Sequence, residues 1–355
     1  MSKPQILRRV ASPDGDIVPT EDMLDAHLEG CPAKTSYRTY FQALEEIVMH
    51  HAVELLGGQK PVRVVLRAEK HGAFAHPASL ELFDGQGQRV KRVAIVATTI
   101  PTVEALEYEY TLLQSLHDKR TTHYLPTPFV FERGRDFGCM IAEWFEDFHE
   151  FHVTADGRVL LWDYDRGPRT LVQAQVFELF RSVSRILTHY YDGEIHAQIY
   201  PWRHAAGDFI ACVASPARSG APSVDVRLTT ARGYGPRIDQ ELALTNPSLP
   251  LLLFFLDLTV RGRLDRVDGT GAIVWLGATC LQGLVRGFLD GLPSLAAGLF
   301  EQRDFLELLA ALDPDELGAC LAPVLETLHG EDRVVAEANI EQHVAELYTL
   351  LQAAS

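Results

Sequence analysis

The chain has 355 residues, 47% of them hydrophobic and 23% charged, the balance of an ordinary folded protein with length enough for one large domain or two. Its formal net charge of −16 and pI near 5.3 work against a broad nucleic-acid or anionic-membrane surface, while leaving room for a local basic pocket that holds a phosphate. The start Met1-Ser-Lys-Pro-Gln has no apolar signal core, and the most apolar run, Leu249–Leu258, is interrupted by Pro250 and Asp257 and falls short of the ~20 residues a bilayer span needs. The five cysteines are scattered without a C-x-x-C pair, so a cytoplasmic, reduced protein is expected.

Residues 1–35 are punctuated by Pro and Gly and read as a loose arm with a short helix near Glu21–Leu28. In Tyr37–Leu56, Phe41, Leu44, Ile47, Val48, Ala52 and Leu55 recur at helical spacing. His50 and His51 lie on that helix as neighbours about 100° apart, which makes them a poor metal pair, expected to cap or face solvent. From Pro61 the pattern becomes that of strands: Val62–Ala68, Ser79–Phe83 and Val93–Ala97, then the helix Thr102–Leu116, then Phe129–Phe131 and Cys139–Ala142. An acidic aromatic stretch, Glu143–Phe151, leads into a hairpin over His152–Tyr164 and an amphipathic helix over Gln173–Tyr190. Phe209–Val213 and Val224–Leu228 are expected to pair as strands. The remainder reads as helices: Leu249–Arg263, Ala278–Leu289, Asp304–Leu312, Glu316–Leu328 and Ala336–Leu351. The pattern predicts an α+β protein with an N-terminal arm and helix over 1–60, a sheet-rich lobe of five antiparallel strands over 61–145, and a mainly helical lobe over 146–355.

Chemistry-bearing residues are densest at Ile195–Val213, where His196, Gln198, Tyr200, Trp202, Arg203, His204 and Asp208 are crowded between a helix and an apolar strand. Titratable side chains gathered just before a buried strand point to a site. No serine elbow, Rossmann glycine fingerprint or P-loop is present, which sets aside the commonest hydrolase and dinucleotide readings.

Five strands with a helix after the third, an apolar hinge, a long helix, a polar loop, two short strands and a helical tail resemble the protein-kinase-like fold, in particular its aminoglycoside and choline phosphotransferase branch. The resemblance covers roughly residues 60–350 and rests on element order. It implies a two-lobed architecture with a cleft for ATP and Mg²⁺ between the lobes. The motifs depart from the family pattern. Val96 stands where V-A-I-K has its lysine, and Lys70-His-Gly-Ala-Phe-Ala-His76 carries one glycine where the phosphate loop has three. His196-Ala-Gln198 replaces H-x-D, putting an amide at the position of the base. Asp208, just before a strand, falls at the place of the metal-binding asparagine if Tyr200–Ala206 is an insertion, and Thr230 stands at the D-F-G aspartate.

The resemblance therefore implies a degenerate member that binds a nucleotide or another small molecule and lacks ordinary phosphotransfer. His196, Gln198, His204 and Asp208 are the candidate catalytic residues, Asp208 also the candidate metal ligand, and Lys70, Arg203, Glu107 and Glu143 the candidate cofactor contacts. Three other readings stay open. One is a rebuilt phosphotransferase in which Arg203 or Lys70 replaces the lysine and Asp208 acts as base. Another is a metal-dependent enzyme with His196, His204 and Asp208 as ligands. The last is a protein-docking surface at Trp144, Phe145, Phe148 and Phe151. Within the helical tail, Arg261–Asp268 mixes both charge signs and reads as a solvated helix end.

Overall fold

The computed structural model describes residues 3–12, 15–69, 75–134, 137–163, 166–204, 207–214, 223–238, 245–246, 248–295 and 302–354. The chain is α+β and divides into two compact units, residues 1–146 and 147–355. The first is built on a largely antiparallel sheet and the second is mainly helical. Among the described residues no helix is long and apolar enough to cross a membrane.

The first unit begins with strand β1 (Gln5–Val10), the short helix α1 (Glu21–Asp25) and helix α2 (Tyr37–Leu55). Strands β2 (Pro61–Ala68), β3 (His76–Asp84) and β4 (Arg89–Ala97) follow, then helix α3 (Ile100–Lys119), then β5 (Pro128–Arg133) and β6 (Gly138–Glu143). The six strands lie in the order β1-β2-β3-β4-β6-β5. The five strands expected from the sequence form the antiparallel body, and the helix falls after the third of them. The arm expected to be loose instead adds β1 parallel to β2, with Gln5 opposite Arg63 and Val10 opposite Ala68. Ser36 starts α2, its Oγ accepting from the Thr39 N–H at 3.2 Å, the usual way an orphan donor at a helix start is satisfied. Phe41, Leu44, Val48, Ala52 and Leu55 on one face of α2 then join Leu66, Leu80, Leu82 and Val96 from the sheet in a single core.

The second unit opens with β7 (His149–Val153), β8 (Val159–Asp163), β9 (Gly167–Thr170) and helix α4 (Gln173–His189). Next come β10 (Ala197–Ile199), β11 (Phe209–Val213), β12 (Val224–Leu228) and β13 (Tyr234–Pro236). The tail contains α5 (Leu249–Arg261), β14 (Leu264–Arg266), β15 (Ile273–Trp275), α6 (Ala278–Gly291), α7 (Gln302–Ala311), α8 (Pro314–Glu326) and α9 (Gly330–Ala354). The two strand pairs expected separately merge into one sheet, β12-β11-β7-β8-β9, because Ile210 and Ala211 pair with Glu150 and His149. The mixed-charge run after α5 is a short hairpin, β14 with β15, rather than a helix end.

Helices α4 and α6 pack unusually closely. A Cβ added at Gly287 would stand 2.0 Å from the Arg181 carbonyl oxygen, and one at Gly283 would stand 2.6 Å from that of Phe177. Spaced four apart, Gly283, Gly287 and Gly291 clear one stripe of α6 for the α4 backbone. In that space Ser184 Oγ donates to the Leu284 carbonyl at 2.6 Å.

Candidate functional site

The crowded stretch before β11 folds back on itself within the second unit. Gly207 donates its N–H to the His204 carbonyl at 3.1 Å and holds φ at +73°. A Cβ there would also come within 2.9 Å of Glu150 Oε1, the movable end of a flexible side chain, so it is the left-handed backbone that favours glycine. The turn places Asp208 and His204 side by side at the head of the strand.

Asp208 is 1% exposed. Its Oδ2 accepts from the Arg203 backbone N–H at 2.8 Å and from Arg232 Nη1 at 2.7 Å, and its Oδ1 accepts from Arg232 Nη2 at 2.6 Å. This is the two-pronged guanidinium–carboxylate arrangement, closed by a third donor. The Thr229 N–H donates to the Asp208 carbonyl at 2.7 Å, joining β11 to the loop that carries Arg232.

His204 is also 1% exposed, with Phe151 and Phe180 beside its ring. Its Nδ1 lies 3.0 Å from Asp265 Oδ2, and its Nε2 lies 3.2 Å from the Gly262 carbonyl oxygen. Burial alone would lower the affinity of the ring for a proton. The buried Asp265 carboxylate outweighs it, and His204 is held above the usual histidine value. Nε2 faces an acceptor and Nδ1 stands at ion-pair distance from a buried carboxylate without hydrogen-bond geometry, and that charge pairing favours the imidazolium.

A second buried cluster is centred on Arg263, two residues before Asp265. Arg263 donates through Nε to the Leu276 carbonyl at 2.6 Å and through Nη1 to Glu346 at 2.7 Å, and it stacks on Trp275. His343 Nδ1 faces Arg263 at 3.3 Å, and its Nε2 faces Thr259 Oγ1 at 3.3 Å. Burial, then the Arg263 charge, pushes this imidazole down to about 3, so it stays neutral.

Beside the first cluster is a cavity of about 30 Å³, lined in part by Trp202, Arg203, Arg261, Asp265, Arg266 and Asp332. It is large enough for a water but not for a nucleotide. Arg203 reaches Asp332 Oδ2 at 2.6 Å, while Asp332 Oδ1 is buried without a hydrogen-bond partner in the protein.

The structure thus brings Arg203, His204 and Asp208 together and places the other expected residues elsewhere. His196, at φ +55°, makes its ring contact with the Tyr191 hydroxyl at 3.1 Å, and burial lowers its pKa. Gln198 sits in β10 opposite Gly235 of β13. The candidate ligand atoms of His196, His204 and Asp208 do not all lie within 4.8 Å of one another. His204 instead faces the Asp265 carboxylate with Nδ1 and the Gly262 carbonyl with Nε2. Glu107, expected at a cofactor, is ion-paired with Arg133 on the first unit's surface. Glu143 Oε2 accepts from Thr127 through its N–H at 3.2 Å and its Oγ1 at 3.1 Å, which fastens the start of β5 to β6. Lys70 lies outside the described residues.

Of the aromatic run, Phe151 is fully buried against Phe180 in the second unit's core, and the Lys91 ammonium sits 4.1 Å above the Trp144 ring. The sequence reading missed Arg232, Asp265, Arg263 and His343. Only Gly262 hinted at a buried role for its neighbourhood: a Cβ there would meet Leu284 Cδ1 at 2.5 Å.

No protein-family model and no curated protein matches this chain. Among solved structures, a crystal structure of a kinase domain matches with a TM-score of 0.32 and 8% identity, over 79% of this chain and 87% of that one. A superposition of that quality says nothing about chemistry.

Proposed function

We propose that this chain is a kinase-like protein that binds a nucleotide or another phosphate-bearing small molecule, in a reducing cytoplasmic setting, without ordinary phosphotransfer. The reading rests on the state of Asp208. Three N–H donors hold its carboxylate at 1% exposure. Mg²⁺ would have to displace a guanidinium to reach a carboxylate held in this way. Further support comes from Val96, which fills core space where the family's lysine would stand. The side chains of Arg203 and Arg232 are 53% and 45% exposed even while paired with Asp332 and Asp208, and guanidinium groups suit phosphate oxygens. All five cysteines are free thiols, in keeping with a reducing compartment.

A thermal-melt series with ATP, ADP and Mg²⁺, alongside an ATP-consumption assay, tests the proposal. Ligand binding at about 100 times its Kd adds ~2.7 kcal/mol of stability, so the melting temperature should rise by several degrees. ATP should not be consumed by the wild type or by Asp208→Asn. An unmoved melt at millimolar nucleotide would remove the binding claim. ATP turnover that disappears in a folded Asp208→Asn variant would instead make the chain a working phosphotransferase with a rebuilt site.

A further inference from the structure

We propose that His50, His51 and Glu132 form a surface site for a divalent transition metal of the zinc class, bridging α2 and β5 in the first unit. Side chains adjacent on an ideal helix diverge, as the sequence reading assumed. Here the two rings swing together instead, with centroids 4.5 Å apart, and both turn a nitrogen towards one carboxylate oxygen. His51 Nε2 lies 2.8 Å from Glu132 Oε1, and His50 Nδ1 lies 3.5 Å from it. Among the described residues this is the one group of three or more His, Cys, Asp or Glu whose candidate ligand atoms all lie within 4.8 Å of one another.

Ligand atoms around a tetrahedral zinc stand roughly 3–3.5 Å apart, so small side-chain rotations suffice to close the group on an ion. The freedom for that is present: the His50 side chain is 75% exposed and that of Glu132 38%. His51, at 20%, is the fixed member. Its far nitrogen, Nδ1, lies 3.5 Å from Glu54 Oε2, one turn along α2. A metal-binding histidine usually gives its second N–H to a carboxylate in this way, leaving the other nitrogen's lone pair for the metal. Two imidazoles and a carboxylate without thiolate suit Zn²⁺, Ni²⁺ or Cu²⁺ better than Mg²⁺ or Ca²⁺, and three protein ligands leave a fourth position to water. None of this depends on nucleotide binding, so the two proposals stand or fall separately.

The test is calorimetric titration of chelator-treated full-length protein with Zn²⁺, with Mg²⁺ as the comparison ion. One Zn²⁺ per chain should bind, with the melting temperature raised, and Mg²⁺ should do neither. His50→Ala should weaken zinc binding tenfold or more, on the order of losing one ligand. The pair His50→Ala with His51→Ala should abolish it, as should Glu132→Gln combined with His50→Ala. His50 and Glu132 are the exposed members, so the metal-free melting curves of variants at these two positions should match the wild type to within about a degree or two. Absence of binding at about 100 μM Zn²⁺, or unchanged zinc affinity in the double-histidine variant, would overturn the proposal and leave only an ion pair between α2 and β5.

Discussion

Asp208 and Asp265 are both buried acids in the second unit, and they are neutralised by different partners: a guanidinium fork for one, an imidazolium for the other. A buried charge that loses its counter-ion is strongly destabilising, by roughly 3–5 kcal/mol. Asp265→Asn should therefore lower the unfolding free energy by an amount in that range, read from urea unfolding curves by circular dichroism. Because the folded pKa of His204 is raised, its contribution is complete below the unfolded histidine value of about 6.5 and is lost as pH climbs through the folded one. His343 works the other way. It is held neutral in the fold down to about 3, so its penalty grows as pH falls from about 6.5. Urea midpoints across the pH range should fall on both sides, with the alkaline limb flattened in His204→Gln and the acid limb flattened in His343→Gln. Asp208 was visible in the sequence because it sits just before an apolar strand. Its partner Arg232 was not, since nothing local links two residues that only the pairing of β11 with β12 brings together. Asp265 was hidden in a run of alternating charges, where a buried ion cluster and a solvated surface look the same.

At the scale of elements, the glycine stripe on α6 decides how close α4 can come. Gly287→Ala would put a methyl 2.0 Å from the Arg181 carbonyl oxygen, a backbone atom that cannot swing aside. Overpacking of a tight interface costs about 1–3 kcal/mol and sometimes more, and Gly287→Ala should fall at or above the top of that range. Gly318→Ala, which would meet nothing within 4 Å in α8, is the control and should be neutral or slightly stabilising. A pair of thermal melts distinguishes them. Amphipathic helices and long strands were legible because their periods repeat over many residues, and the start of α8 was legible because Asp313 and Glu316 form a reciprocal cap. Strand β1 was not, because six residues whose partner lies beyond two helices carry no local sign of pairing. The hairpin β14–β15 failed for a different reason: three-residue strands are too short to establish a period.

For the molecule as a whole, an α+β chain with a sheet-rich part before a mainly helical one was legible from the change in hydrophobic period near Pro61 and again near Gln173. The second unit's five-stranded sheet was not, since its strands come from two separated stretches of sequence. A formal charge of −16 spread over both units places the native state under self-repulsion. Raising NaCl from about 20 to about 300 mM should lift the melting temperature, because screening relieves that repulsion more than it weakens exposed ion pairs. A fall on adding salt would mean that the pairs dominate.

The parallel pairing of β1 with β2 also bears on how the first unit assembles. Gln5–Val10 leaves the ribosome well before residues 63–68, so its hydrogen-bonding edge must wait, unmatched, while α1 and α2 are made. Distant parallel pairing is among the slower steps a chain can take. A refolding trace of the first unit should accordingly end with the docking of this border strand, and removing residues 3–11 should erase that last phase while the antiparallel body still forms.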